Sequence, residues 1–322
     1  MNTSPAACVA CASTDIVPCE RHEKYELYQC SACDLQFWWP FQNPGNTYYQ
    51  ENESEGYIRR NTNPLVVPLF VAQRRFLRKK PKLGTTMLDL GMGTGRFLAE
   101  AKKRGYVVTG SDFDVDAVST ARSFFGLSDV HQLTLEESLE KFQGRTFDFI
   151  TMFDVIEHLD SFDTIQKFAQ LLSPNGKFVI STPWRGHSPL FGAGDYPPLH
   201  LTRWSNTSMR NLLEQRGFSV VSVKHIPVNF RRFMMKFNGW TAGWLSFDLT
   251  KKLSTQEKVT TSAAPAPTVR RGTPTRRQRI LSALSIAKLY GLFFVPACVV
   301  YAYLWITGGR HATHIYIVAE RA

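Results

Sequence analysis

The chain has 322 residues, 43% of them hydrophobic and 13% aromatic, and a net charge of +11. This composition excludes a disordered polymer and gives room for one large packed domain with a smaller companion. The charge is concentrated: residues 224–279 hold twelve Lys/Arg against Asp248 and Glu257, while the rest is nearly neutral. That stretch is therefore expected to meet an anionic partner, phospholipid or nucleic acid.

The opening "MNTSPAACVACASTD" has no basic segment followed by an apolar one, so the expectation is a cytosolic chain with reduced thiols. Cys8 and Cys11 form one CxxC pair, and Cys30 and Cys33 form a second, with eighteen residues between the pairs. Four thiolates so spaced reach one tetrahedral cation, which predicts a structural zinc ribbon over residues 1–45. Gly commonly follows the second Cys of such a knuckle; Ala12 and Asp34 stand there, and Asp accepts the left-handed backbone better than Ala. Cys19 and Cys298 are read as unpaired.

Residues 46–84 read as a helical connector ending near Pro81. Strands and helices then alternate: "TTMLDLG" (85–91), "RFLAEAKKRG", "YVVTGSD" (106–112), "VDAVSTARSFFG", "FDFITMFD" (147–154), "FDTIQKFAQLLSPNG", "KFVISTP" (177–183), "SNTSMRNLLEQRGF" and "SVVSVKHI" (219–226). Pro174 and Gly176 are read as ending the third helix, and Ser205 as capping the fourth. This alternation predicts an α/β fold with a doubly wound, largely parallel sheet over 85–228.

Gly91, Gly93 and Gly95 follow Asp89 in a tight strand-to-helix turn, where a ligand can press on backbone at a helix N-terminus. The GxGxG spacing leaves less of a cradle for a pyrophosphate than GxGxxG, and Asp89 can meet a cationic amine. Asp112 ends the next strand, where a carboxylate can take two ribose hydroxyls.

"LDLGMGTG", "VTGSDFD", "FDFITMFDVIEHLDSF" and "LLSPNGKFVISTP" together resemble the class I S-adenosylmethionine-dependent methyltransferases. That resemblance implies a seven-stranded sheet whose last strand is antiparallel. It also implies that Asp89 and Gly91 hold the methionine end and Asp112 the ribose, with Gly93, Gly95 and Phe113 also binding the cofactor. Thr134 and Leu135 then lie beside the adenine, and Phe153 and Asp154, at the end of the fourth core strand, also bind the cofactor. Methyl transfer to a hydroxyl needs positioning and a base. His200, in "DYPPLHLTRWS", and His158, in "DVIEHL", follow core strands; His200 is placed ahead, with Tyr196 and Arg203 as acceptor contacts. Structural roles for both histidines stay open, and Asp154, Glu157 and Asp160 are not read as a catalytic metal site.

The zinc ribbon joined to this core resembles methyltransferases of bacterial saccharide and cell-surface glycan pathways, which implies a lipid-linked or nucleotide-linked sugar acceptor. Other readings are an RNA methyltransferase, a quinone O-methyltransferase and a non-catalytic adaptor. "HATHIYIVAERA" reads as the antiparallel last strand, making 229–310 an insertion leaving and re-entering the sheet on its ligand face. Within it, residues 289–306 carry no charge, while "NFRRFMMKFNGWTAGWLSF" mixes basic and apolar side chains. A single membrane crossing would take the last strand out of the sheet. The insertion is therefore expected to lie on the inner membrane face, peripherally or monotopically, with a protein-buried cap as the alternative.

Overall fold

The computed structural model describes residues 4–49, 51, 58, 61–62, 69–186, 196–227, 230, 233–234, 294–306 and 312–322. The chain divides into two compact units, Met1–Pro227 with Ala312–Ala322, and Val228–His311.

The first unit contains a seven-stranded sheet. Its strands are β4 (Thr86–Leu90), β5 (Val107–Asp112), β6 (Val130–Gln132), β7 (Phe147–Phe153), β8 (Leu172–Pro183), β10 (Phe218–Pro227) and β11 (Ala312–Arg321). Their order is β10-β11-β8-β7-β4-β5-β6. The five strands β4 to β8 run parallel, and β11 is antiparallel to both β8 and β10. This is the sheet the family resemblance implies, with the last strand seated between its two predecessors.

Alternation along the strands feeds two cores. Leu88, Leu90, Ile150, Met152, Phe178 and Ile180 join one cluster of buried side chains, and Met87, Phe153, Val179 and Tyr316 join the other. Both faces of the central strands are thus covered, as a parallel sheet requires.

One local expectation changes. Residues Ile165–Leu171 form a 3-10 helix rather than a helix running to Pro174, and β8 begins at once with Leu172. Leu172 pairs with Phe147 but Lys177 with Phe149, so the four residues 173–176 bulge out of the ladder. Pro174 cannot donate to a ladder, and the bulge is where a strand accommodates it.

The cysteine segment builds a second sheet, in the order β1-β2-β3-β9, from β1 (Ile16–His22), β2 (Tyr25–Cys30), β3 (Gln36–Trp39) and β9 (Thr202–Arg203). The short β9 comes from the segment after β8 and pairs with β3 through Gln36↔Arg203 and Phe37↔Thr202. Cys8, Cys30, Cys33, Leu35 and Phe37 share their buried cluster with Phe162, Trp204, Met209 and Leu212. The ribbon is therefore packed into the same core as one face of the large sheet.

In the unit Val228–His311, the helix Phe294–Ile306 carries no charged residue. Phe230, Phe233 and Tyr301 pack with ring centroids 5.1–6.3 Å apart. Val295, Val299, Tyr303 and Ile306 are exposed. Among the described residues no helix is long and apolar enough to cross a membrane. Residues 289–293 of the uncharged run, and most of the basic stretch 224–279, lie outside the described residues.

Candidate active site

The glycine turn sits at the carboxyl end of β4. The N–H groups of Gly91 and Met92 both donate to the Ser111 carbonyl, at 2.9 and 3.0 Å, tying the turn to β5. Gly91 and Gly95 have φ of +69° and +72°, where L side chains are strained. Space forbids them too: a Cβ on Gly91 would fall 2.4 Å from Val155 Cγ2, and one on Gly95 2.7 Å from Leu127 Cδ1. Backbone is thus presented where a ligand can approach it closely, ahead of the helix Arg96–Lys103.

Two buried carboxylates flank this turn. Asp112 Oδ2 accepts from Gly93 N at 2.7 Å, and its Oδ1 from Asp114 N at 2.9 Å. Asp89 Oδ1 accepts from the Thr151 hydroxyl at 2.5 Å. Burial pushes Asp89 up to about 7 and Asp112 up to about 6. A cation arriving beside Asp89 draws it back to the ionised form, so the donor set suits a ligand with a positive group at one end and hydroxyls at the other.

The other cofactor candidates are distributed around this turn. The Phe113 ring lies 5.4 Å from that of Tyr49. Thr134 caps the helix Leu135–Lys141, and its hydroxyl and N–H are taken by Glu137. Leu135, half-buried, begins that helix; Leu133 N donates to Asp112 O at 2.9 Å, which sets this turn beside the acidic residue. Phe153 points its ring into the second core, 5.1 Å from Phe97, so only its backbone stands near the strand end. Asp154 has φ of +57°, accepts from Ser181 Oγ at 2.8 Å and lies 3.8 Å from His314 Nε2.

His158 and His200 come together, ring centroids 4.8 Å apart and planes at 88°. His158 Nδ1 is 2.7 Å from the Leu199 carbonyl. A carbonyl only accepts, so Nδ1 carries a proton, and in the neutral tautomer Nε2 is the basic nitrogen. Glu157, 1% exposed, lies against them: one oxygen accepts from Thr182 Oγ1 at 3.0 Å, and the other, Oε1, is buried with no hydrogen-bond partner among the described residues. Burial, reinforced by Asp154, pushes Glu157 up to about 8, against the pull of His200. Ligand atoms of Glu157, His158 and His200 lie within 4.8 Å of one another, a spacing open to a cation as well as to proton transfer.

Tyr196 and Arg203 stand together beside the ribbon. Tyr196 stacks on His22 with centroids 4.4 Å apart, and the Arg203 guanidinium lies 5.1 Å from the Tyr196 centroid and 4.9 Å from that of Trp38. Arg203 also pairs with Glu20 at 2.6 Å. Tyr49, Thr151 and Thr182 are residues sequence reasoning passed over, and Glu157 was weighed there only as a metal ligand. Glu157 alone carried a signal, its place beside His158 in "DVIEHL".

The four cysteines also converge. Cys8 Sγ lies 3.6 Å from Cys33 Sγ, Cys11 Sγ 3.6 Å from Cys30 Sγ, and all four sulfurs fall within 4.8 Å of one another. Disulfide sulfurs sit about 2.05 Å apart, whereas thiolates around a tetrahedral zinc with about 2.3 Å bonds sit about 3.8 Å apart. The donor set therefore fits a four-coordinate soft cation. Ala12 and Asp34, with φ of +59° and +64°, both take the left-handed turn that each knuckle needs, so Ala12 accepts it without glycine.

Comparisons with known proteins bear on the large sheet and its fold. A family model described as a methyltransferase domain matches residues 67–223. The ubiquinone biosynthesis O-methyltransferase of Histophilus somni is 38% identical over 104 residues, 30% of this chain and 44% of that protein. Its counterpart in Pseudomonas paraeruginosa is 31% identical over 137 residues, 41% of this chain and 56% of that one. The chain thus spans about half the length of the curated relatives it matches. Among solved structures, Haemonchus contortus phosphoethanolamine N-methyltransferase 2 in complex with S-adenosyl-L-methionine has a TM-score of 0.50 at 16% identity, over 86% of this chain and 58% of that one. That last likeness speaks for the fold.

The large sheet and its glycine turn define a Rossmann-like methyltransferase fold. More particularly, residues 67–223 are similar to a methyltransferase domain, and the likeness to the solved complex with S-adenosyl-L-methionine extends to the fold. Asp89 and the backbone of Gly91, Gly93 and Gly95 are the groups that would hold the methionine end, and Asp112 the ribose. When bound, that cofactor supplies an activated methyl group.

Proposed function

We propose that the chain is an S-adenosylmethionine-dependent O-methyltransferase acting on a sugar hydroxyl of a lipid-linked or nucleotide-linked glycan precursor. The observation that carries O-methylation is the His158–His200 pair beside buried Glu157, at the carboxyl ends of β7 and β8. An alkyl hydroxyl needs a base to become a nucleophile. Nε2 of His158 takes that proton, or His200 does so, with Glu157 packed beside them. The exposed stack of Tyr196 on His22, beside the Arg203 guanidinium, supports a sugar ring with a phosphate attached.

A zinc ion held by Cys8, Cys11, Cys30 and Cys33 completes the ribbon in a structural role, since four sulfurs leave no open coordination position. The uncharged helix Phe294–Ile306 and the basic stretch 224–279 support association with anionic phospholipid at the inner membrane face. An acceptor hydroxyl on a quinone-type ring is the second reading, favoured by the names of the relatives above; RNA is the third.

The test incubates purified chain with methyl-labelled cofactor and three extracts: lipid-linked glycans, quinones and RNA. Products are read by mass spectrometry. Label in the glycan fraction, lost in His200→Ala and His158→Ala, is the expected result. Label confined to the quinone or RNA fraction overturns the glycan acceptor. Failure to bind S-adenosylhomocysteine in calorimetry overturns methyl transfer altogether.

A further inference from the structure

The histidine pair is built on the ribbon as much as on the large sheet, and three tethers show how. At the first, Asp34, directly after Cys33, grips both ends of the segment that carries His200. Its Oδ1 accepts from Arg185 Nη2 and its main-chain carbonyl from Arg185 Nη1, while its Oδ2 accepts from the Ser205 hydroxyl, each at 2.5 Å. The same two ends are joined to each other where Arg185 N donates to Trp204 O at 2.9 Å. At the second, Trp38 N on β3 donates to Leu201 O at 2.9 Å, one residue beyond His200, and β9 follows at once. At the third, Asn43 Nδ2 donates to the His158 carbonyl at 2.7 Å and Asn43 N to Asp160 Oδ2 at 3.1 Å.

Between these tethers the two histidine segments hold each other. His158 Nδ1 donates to Leu199 O, and Leu201 N donates to Glu157 O at 2.8 Å. His200 is thus flanked on both sides by bonds that depend on where the ribbon lies. The glycine turn is held differently, by Ser111, Asp112 and Thr151 of the large sheet.

We propose that Asp34 is a positioning residue: through its clamp on Arg185 and Ser205 the cysteine ribbon sets the His158–His200 pair, independently of the cofactor turn. Asp34 suits the task because its left-handed backbone, φ +64°, aims the side chain away from the cysteine cluster while its neighbour Cys33 stays in it. Its carboxylate engages a guanidinium and a hydroxyl at once, bonds stronger than their neutral counterparts. The inference rests on the reading of His158 and His200 as the acceptor-side base, and it makes the ribbon part of the machinery that handles the acceptor.

The experiment uses the full chain, with S-adenosylhomocysteine as probe, and compares wild type with Asp34→Gly, Asp34→Asn and Arg185→Ala. Glycine keeps the left-handed turn while removing the carboxylate, and asparagine keeps the turn and one acceptor oxygen. Hydrogen exchange by mass spectrometry, imidazole NMR shifts of His158 and His200, bound zinc per chain and probe affinity are measured. Asp34→Gly is expected to raise exchange at the amides of His158, His200 and Leu201 about tenfold or more and to move both imidazole signals. Probe affinity stays within about twofold and exchange near Gly93 and Gly95 stays unchanged. Asp34→Asn recovers part of the protection, and Arg185→Ala reproduces the glycine variant.

Unchanged histidine amides and imidazole signals in Asp34→Gly overturn the proposal. Loosening that spreads equally to the glycine turn, with loss of probe affinity, also overturns it, since Asp34 is then a general stabiliser. Absence of bound zinc in wild type refutes the metal alone, because the Asp34 and Arg185 variants still decide whether the ribbon positions the pair. Loss of methyl transfer in His200→Ala with no change in imidazole environment in Asp34→Gly separates a correct base from an incorrect positioning device.

Discussion

The two halves of the candidate site are made by opposite strategies. The cofactor half is a single short piece of chain, Asp89 to Gly95, whose shape follows from three glycines and a strand end, with Asp112 close by on the next strand. The acceptor half draws on Asp34, Asn43, Tyr49, Glu157, His158, Arg185, His200 and Ser205, brought together across two sheets. A site made from one turn is rigid as soon as its strand pairs. A site collected from many segments is as firm as the ties between them, and those ties can be cut singly.

The largest effect expected from that contrast is on the acceptor half. His200→Ala or His158→Ala lowers kcat by about 10²–10⁴-fold while S-adenosylhomocysteine affinity, read by calorimetry, is unchanged. Parallel losses of affinity would show the two halves to be one. Next comes the cofactor half: Asp112→Ala weakens that affinity by about 10²-fold, the value of two charge-assisted hydrogen bonds. Gly91→Ala forces a Cβ to 2.4 Å from Val155 Cγ2, and is expected to destabilise the fold by about 1–3 kcal/mol in denaturant titration.

A smaller, pH-dependent effect follows from the buried acids. Asp89, raised to about 7, must release its proton to meet a cationic ligand. Cofactor affinity should therefore rise with pH between 6 and 8, by at most about tenfold per unit, and Asp89→Asn should flatten the curve. For Glu157 the folded pKa of about 8 lies above the ordinary 4.5. The folded state holds that proton more tightly, so stability falls as pH climbs from 4.5 to 8 and levels off above. Glu157→Gln is expected to flatten the melting temperature over that window. The smallest effect is at the end of the β8–β11 ladder, where Lys177→Ala removes the half-exposed Lys177–Glu320 pair and should shift stability by less than about 1 kcal/mol.

What could be read in the sequence follows the same division. The glycine turn, Asp89, Asp112 and the strand order were legible because each depends on neighbours a few residues away: apolar runs, glycines and strand ends. His158 and His200 were legible as candidates, but their meeting was not, since forty-one residues separate them and only the folded chain closes the gap. Tyr49 carried no local pattern at all; it matters because its ring stands 6.1 Å from that of His158 and 5.4 Å from that of Phe113. The third helix was misjudged because Pro174 and Gly176 mark a strand bulge as readily as a helix stop. The ribbon was read as a separate module, whereas β9 and the shared buried cluster join it to the large sheet.

The seating of β11 also has a consequence for biosynthesis. Among the described residues β10 pairs with β11 alone, and β11 reaches β8 on its other side. Until β11 leaves the ribosome, β8 stands as a bare edge and β10 has no partner. Translation at about 5–20 residues per second takes on the order of 4–17 s to produce the segment between them. For that interval the nascent chain displays a nearly complete hydrophobic sheet with one open side, the state in which strands of two molecules pair by mistake. The insertion therefore sets a delay as well as a length, and shortening it should raise the yield of folded protein made at high expression rates.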